Sequence, residues 1–251
     1  TKFFTLIVHS LRDLFLGMLP PRTRGNGFAF LIHPRDISDV YRKYPFAKTI
    51  PDRLLFFLLK YYWPVIVSEV KGLFSVKTGK PVRGWVITTS LTARRMIEDR
   101  ERAVKKIIRA ARLAQNIGAG IMGLGALTAS ISKGGLDLVE KVNISITTGH
   151  AYTGWTVSEN FFKFVELTGI KKEDTIVAIV GAAGSIGSLS AQIIARAGVK
   201  EFILIDLERK RLLLDELVER IKGISPEVNL TITHQIGSIK SADFIIAATS
   251  A

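Results

Sequence analysis

The sequence predicts an α/β protein, with an N-terminal α/β substrate domain followed by the first half of a doubly wound parallel-sheet (Rossmann) dinucleotide-binding domain. Three observations predict it. After Asp174, four apolar strands ("TIVAIV", "EFILID", "NLTITH", "ADFIIAA") alternate with helical stretches, the pattern of a parallel sheet with right-handed crossovers. The first of these strands runs into a turn with glycines at 181, 184 and 187, and the turn opens a helix of small and apolar residues. The third is charge. Residues 1–170 carry 25 Lys and Arg against 12 Asp and Glu, whereas residues 171–251 carry 10 of each, so the whole excess of +13 precedes the nucleotide-binding pattern.

These patterns divide the 251 residues into an apolar, basic extension (1–27), a substrate domain (28–170) and a partial dinucleotide-binding domain (171–251). The last reads as a fragment, because such a unit normally continues past its fourth strand. A hydrophobic fraction of 47% suits a globular protein. No cysteine is present, which excludes disulfides, thiolate metal sites and cysteine nucleophiles within these residues. His9, His33, His150 and His234 lie far apart, and no metal site is expected.

The elements follow in order. "FFTLIVHSLRDLFLGMLPP" (3–21) is interrupted by polar residues, and "LLFFLLKYYWPVIV" (54–67) contains Lys60 and Pro64. Both fall short of the run a spanning helix needs, and neither has a signal-peptide layout. The expected location is the cytoplasm, with a peripheral position on a membrane surface as the alternative. The 54–67 stretch reads as a buried core helix, with a membrane interface or a pocket for a long apolar ligand as the other readings. "PPRTRGNG" (20–27) is a turn and boundary, "FAFLIH" (28–33) a buried strand, and "DISDVYRKY" (36–44) a short helix. A turn over 78–84 opens a strand at "WVITTS". Residues 92–116 form one helix from a Thr92 cap to a Gly118 stop, with Ile107, Ile108 and Ala111 on its apolar face. Its other face carries Arg95, Arg102, Lys105, Lys106, Arg109 and Arg112, either as a solvated face or as a dock for an acidic partner. The glycines at 118, 120, 123 and 125 mark a strand closely approached by another element or a ligand. In "ISITTGHAYTGW" (144–155), Thr147, Thr148, Gly149 and Thr153 surround a helix start. They read either as an anion or carbonyl site or as ordinary capping.

The spacing at 181, 184 and 187 is G-x-x-G-x-x-G. Gly181 permits the sharp exit from the strand, Gly184 lets backbone approach a pyrophosphate, and Gly187 brings the helix close to the sheet. The helix start at Ser185 and Ile186 offers open N–H groups and a positive dipole end, with Ala183 inside the turn. No Lys-Ser/Thr follows, which disfavours a P-loop. Asp206 ends the second strand, where a carboxylate accepts ribose hydroxyls of NAD and repels the 2′-phosphate of NADP. Arg209 and Lys210 follow it and offer a phosphate partner. The cofactor is NAD or NADP, with Asp206 favouring NAD.

From about Phe28 onward the chain resembles the cyanobacterial-type long-chain acyl-ACP reductases, the fatty-aldehyde-forming enzymes related to predicted amino-acid dehydrogenases. The segments that carry the likeness are "ARLAQNIGAGIMGLGALTASI", "TTGHAYTGW", "VAIVGAAGSIGS" and "ADFIIAATS". The resemblance implies NADPH-dependent reduction of a fatty acyl thioester to the aldehyde through a cysteine acyl-enzyme, with an acidic acyl carrier protein or acyl-CoA as partner. It maps Gly181, Gly184, Ser185, Ile186 and Gly187 onto the phosphate turn, and Thr249 and Ser250 onto the end of the fourth strand that faces the cofactor crevice. It maps Thr147, Thr148, Gly149 and Thr153 onto the substrate side. There are two departures. The family's cysteine is expected beyond Ala251, so no residue here is assigned as catalytic, and Asp206-Leu207 replaces the small and basic residues that suit NADPH.

Two other functions fit the sequence. One is a shikimate-dehydrogenase-like enzyme acting on a small amino or hydroxy acid, for which Lys133 and Asp137 are the nearest local pair. The other is a non-catalytic NAD-binding module whose basic part meets a membrane surface. Nucleic acid is not expected, because the basic helix lacks interleaved stacking residues.

Overall fold

The computed structural model describes residues 2–20 and 25–249, with side chains from Leu6 onward. It divides into two compact units, Thr1–Thr148 and Gly149–Ala251. Residues 21–24, within the expected 20–27 turn, and Ser250 lie outside the described residues.

The first unit runs α1 (Lys2–Met18), β1 (Gly27–Ile32), α2 (Ile37–Lys43), a 3₁₀ turn (Pro45–Thr49), α3 (Asp52–Tyr61), β2 (Val65–Phe74) and β3 (Pro81–Thr88). It continues with α4 (Ala93–Glu98), α5 (Arg100–Asn116), β4 (Ala119–Leu124), α6 (Leu127–Ile131), a 3₁₀ segment (Lys133–Leu138) and β5 (Ser145–Thr147). The sheet order is β2-β3-β1-β4-β5, parallel except for β2 at the edge, which runs antiparallel to β3. Alternate residues of the central strands, including Ala29, Leu31, Trp85, Ile87, Met122 and Leu124, are buried together with Ile107, Ala111 and Ala114 of α5. That burial is the period-2 strand pattern meeting the apolar stripe of a helix.

On the opposite face of β1, aromatic rings account for several glycines. A Cβ at Gly84 would lie 2.3 Å from the Phe28 ring, and one at Gly123 would lie 2.9 Å from the Phe30 ring. The close approach read from the glycine spacing of β4 is therefore made at Gly123 by a neighbouring strand's side chain.

The extension is tied to this unit. Asp13 of α1 accepts the Ile66 amide (2.8 Å), Trp63 Nε1 donates to the Ser10 carbonyl (2.7 Å), and Asn116 Nδ2 donates to the Leu16 carbonyl (2.7 Å).

Three expectations are corrected here. The 54–67 stretch is not one buried helix. The chain leaves the helix after Tyr61, before Pro64, and continues as β2, and only Leu55 of α3 is buried while Leu54, Phe57, Leu58 and Tyr61 are exposed. The 92–116 helix breaks at Asp99, which takes φ −132° and caps α5 by accepting the Arg102 amide; an Asp side chain competes with the helix backbone in this way. Thr92 holds the position before α4 without a side-chain cap. Lys106 is not on a solvated face: it is 5% exposed, and its Nζ donates to the carbonyls of Leu59 (3.3 Å) and Tyr62 and to Ser90 Oγ (2.6 Å).

The second unit runs α7 (His150–Thr168), a 3₁₀ turn (Lys172–Asp174), β6 (Ile176–Val180), α8 (Ser185–Arg196), β7 (Glu201–Ile205), a 3₁₀ turn (Glu208–Lys210), α9 (Arg211–Ile224), β8 (Asn229–Thr233), a 3₁₀ turn (Ile236–Ser241) and β9 (Phe244–Ala247). All four strands are parallel, in the order β8-β7-β6-β9. Val177, Ile179, Ile194, Phe202, Leu204 and Leu217 form its core. Helix α7 packs closely on α8, where a Cβ at Gly154 would meet Leu189 at 2.8 Å. No helix among the described residues is long and apolar enough to cross a membrane.

Candidate dinucleotide-binding site

In the second unit the first strand, β6, lies between the second and the fourth. Successive connections therefore leave β6 to opposite sides, and the crevice at its carboxyl end is a topological switch point, where open α/β sheets bind ligands. The glycine turn occupies that position. Gly181 has φ +83°, and a Cβ there would lie 2.6 Å from the Ala248 carbonyl oxygen, after β9. A Cβ at Gly187 would lie 2.3 Å from the Gly181 carbonyl oxygen, so only glycine lets α8 start this close to the strand.

Gly184 sits before α8 with no side-chain cap, and its carbonyl accepts the Ser188 amide (2.9 Å). The amides of Ser185, Ile186 and Gly187 are the first of the helix and have no intrahelical acceptor. They are directed toward the same end as the positive pole of the helix dipole, which suits a pyrophosphate. Ser185 is exposed, and Ala183 and Ile186 are half-buried around it.

Asp206 follows β7 and is turned into this loop. Its carboxylate accepts the amides of Ala183 (3.0 Å) and Leu207 (2.8 Å) and pairs with Lys210 (3.1 Å). Burial pushes this carboxyl up, but the Leu207 amide, Lys210 and the Ala183 amide outweigh burial and hold it below the ordinary carboxylate value. The side chain is 4% exposed. It ties the end of β7 to the turn after β6, and its oxygens still have acceptor capacity for a hydroxyl. His234, just after β8, was not singled out in the sequence; its Nδ1 is 2.8 Å from the Asp206 carbonyl oxygen. Its only sequence signal was its place at the end of a parallel strand.

Arg209 is exposed in the 3₁₀ turn behind Asp206, and Thr249 is exposed after β9, beside Gly181. The structure therefore brings the glycine turn, Asp206 and Thr249 to one end of the second unit's sheet. The "TTG" residues are contiguous along the chain. Thr147 ends β5, Thr148 closes the first unit, Gly149 (φ +74°) precedes α7, and the Thr153 hydroxyl donates to the Gly149 carbonyl (3.1 Å). Asp137 pairs with Arg100 of α5, and no ion pair joins it to Lys133 among the described residues. No group of three His, Cys, Asp or Glu able to hold a metal occurs among the described residues.

The parallel order β8-β7-β6-β9 of the second unit is thus consistent with a Rossmann-like dinucleotide-binding topology. No family model matches the chain, and no curated protein matches it. Among solved structures, one described as a "putative malic enzyme (malate oxidoreductase)" is 16% identical with a TM-score of 0.46, the match covering 100% of this chain and 60% of that one. The ornithine transcarbamoylase of Giardia lamblia is 11% identical with a TM-score of 0.41, covering 97% of this chain and 68% of that one. The chain spans 60% of the length of the first.

Proposed function

We propose that the chain belongs to an NAD(P)-dependent oxidoreductase that reduces a long-chain acyl thioester, from acyl carrier protein or CoA, to the aldehyde. The observation that carries the nucleotide part is the uncapped start of α8, set by Gly181 and Gly187 at the switch point. The amides of Ser185, Ile186 and Gly187 hold the pyrophosphate, Asp206 and Arg209 stand on the adenosine side, and Thr249 flanks the turn. The bound nicotinamide supplies hydride. The acyl-thioester part is supported by the sequence resemblance and by the basic first unit, which counts 24 Lys and Arg against 10 Asp and Glu. No nucleophile is assigned, since none of the 251 residues is Cys.

Calorimetric titration of the chain with NADH and NADPH tests this reading. Binding of NADH tighter than NADPH is expected, with the preference narrowed by Asp206→Ala, because the carboxylate opposes a second negative charge nearby. Failure to bind either nucleotide would end the proposal. An unchanged preference in Asp206→Ala would remove Asp206 as the selector and leave it only a role in bracing the turn.

A further inference from the structure

Helix α1 carries its apolar stripe on the outside. At 3.6 residues per turn, Ile7, Val8, Leu11, Phe15 and Met18 fall within an arc of about 100°, and all five are exposed. Nearly opposite them stand Ser10, Asp13 and Gly17, which are buried. Those three hold the helix in place. The Ser10 carbonyl accepts Trp63 Nε1, Asp13 accepts the Ile66 amide, and a Cβ at Gly17 would lie 3.5 Å from the Arg109 carbonyl oxygen. A surface helix ordinarily turns its apolar stripe toward the core. Here polar contacts and a glycine face inward, so α1 cannot roll over to hide the stripe without losing them.

Helix α3 repeats the arrangement. Leu54, Phe57, Leu58 and Tyr61 follow the i, i+3, i+4, i+7 spacing of one face, all are exposed, and the Phe57 and Tyr61 rings lie 5.1 Å apart. Arg53 and Lys60 border this stripe; both are exposed, and neither has an ion-pair partner among the described residues. The two helices adjoin. The hydroxyls of Ser10 and Tyr62 are paired, and Leu6 of α1 lines one apolar groove together with Leu58 and Tyr61 of α3. Two neighbouring apolar stripes left in water mark an interaction surface.

We propose that the first unit docks on an anionic lipid bilayer through the outward stripes of α1 and α3, with both helices lying in the interface. An apolar stripe bordered by Lys and Arg is the pattern of a helix that lies in the headgroup region. The stems of Arg53 and Lys60 can run along the apolar surface while their charges meet lipid phosphates, and Tyr61 suits the same depth. Charge selects the occupant. The unit's balance of +14 complements an anionic surface over its whole extent. A second copy is the poorer partner, because a two-fold contact would set +14 against +14 and bring Arg53 and Lys60 toward their own counterparts. This inference goes beyond the proposed function and does not depend on which reaction the enzyme performs.

Co-sedimentation of the chain with vesicles of mixed phosphatidylcholine and phosphatidylserine, in the absence of nucleotide, tests the proposal. Binding is expected, at least about tenfold tighter than to phosphatidylcholine alone, since cations near an anionic surface contribute about 1 kcal/mol each. Phe15→Asp and Phe57→Asp should each weaken it by at least about tenfold, because each removes a ring from the apolar contact and adds a repelled charge. Their unfolding temperatures should match the wild type, as both rings are exposed in the free chain. Arg53→Gln should weaken binding by about fivefold. Lipids brominated on their acyl chains should quench Phe15→Trp and Phe57→Trp more than the wild type, because these positions reach the acyl boundary. Absence of binding to the anionic vesicles overturns the proposal. So does full binding by both Asp variants, or added quenching at neither position. A loss confined to one Asp variant overturns the two-helix contact and restricts docking to that helix. Sedimentation velocity without lipid covers the other occupant: a dimer that Phe15→Asp or Phe57→Asp dissolves would assign the stripes to a second copy and overturn the lipid reading.

Discussion

Lys106 shows how a single side chain is governed by its surroundings. Burial, followed by the nearby positive charges of Arg109 and Arg102, pushes its ammonium down from the ordinary lysine value to about 7. Its three N–H groups meet three acceptors, the Leu59 and Tyr62 carbonyls and Ser90 Oγ, so the group is satisfied even where it is hard to charge. The unfolded chain holds this proton up to about pH 10.4, whereas the folded chain releases it near 7. Between those values the unfolded state binds more protons, so stability rises with pH, by up to about 1.4 kcal/mol per pH unit for one proton. Urea unfolding of the wild type from pH 7 to 10 should show this rise, and Lys106→Met should flatten it. An identical slope in the variant would place the titration elsewhere. The sequence offered no sign of this role. Arg102 and Arg109 lie four residues before and three after Lys106, with Lys105 adjacent, and only the carbonyls of Leu59 and Tyr62, forty-odd residues earlier, turn it inward.

At the scale of elements, the second unit was legible because its information is local. Each strand is a short apolar run, each crossover a helix, and the glycine turn writes its own geometry at 181, 184 and 187. β6 to β9 fall where the alternation places them, and α7 ends at Gly169 in the left-handed region. The first unit was less legible, because its decisive contacts are long-range. β2 pairs antiparallel with β3 through a turn, but its first residues, Val65–Val67, were hidden inside an apolar window shared with α3. The break at Asp99 depends on one cap rather than on a change in apolar period. The glycine turn allows a sharp prediction. A methyl group at Gly187 would lie 2.3 Å from the Gly181 carbonyl oxygen and 3.0 Å from the Ala182 Cα, and neither is a flexible side chain that can move aside. Helix α8 must therefore back away from β6. Gly187→Ala should cost about 1–3 kcal/mol of stability, the range for overpacking, and should weaken NADH and NADPH alike. Gly184→Ala, whose added Cβ would lie 3.2 Å from the same oxygen, should cost less. Chemical denaturation of the two variants decides it, and equal losses would mean that the turn is looser than this packing implies.

Across the whole molecule, charge is distributed by unit. The first unit holds 24 Lys and Arg against 10 Asp and Glu, a balance of +14, and the second holds 11 against 12, a balance of −1. Much of the charge on α4 and α5 is locally paired, as in Arg94–Glu98, Arg102–Asp99 and Lys105–Glu101. Exposed pairs of this kind contribute little to stability, so the excess matters mainly as a long-range field. That field raises the rate of encounter with an acidic partner and is screened beyond about 10 Å at 0.1 M salt. If the first unit receives an acyl chain from an acidic carrier protein, as proposed, association should be fast at low salt and slow steeply as salt rises. Nucleotide binding at the near-neutral second unit should depend on salt far less. Lys60 and Arg109 line a basic recess beside α5, both are exposed, and neither has an ion-pair partner among the described residues. Lys60→Glu combined with Arg109→Glu should lower the association rate of the carrier by about tenfold at low salt while leaving the dissociation rate little changed, as expected when rim charges are altered. Stopped-flow measurements at several salt concentrations separate this from ordinary loss of contact, which would raise the dissociation rate at every salt concentration. An association rate indifferent to both salt and charge reversal would leave the asymmetry of charge without a role in partner capture, and the carrier would then have to be recognised by shape.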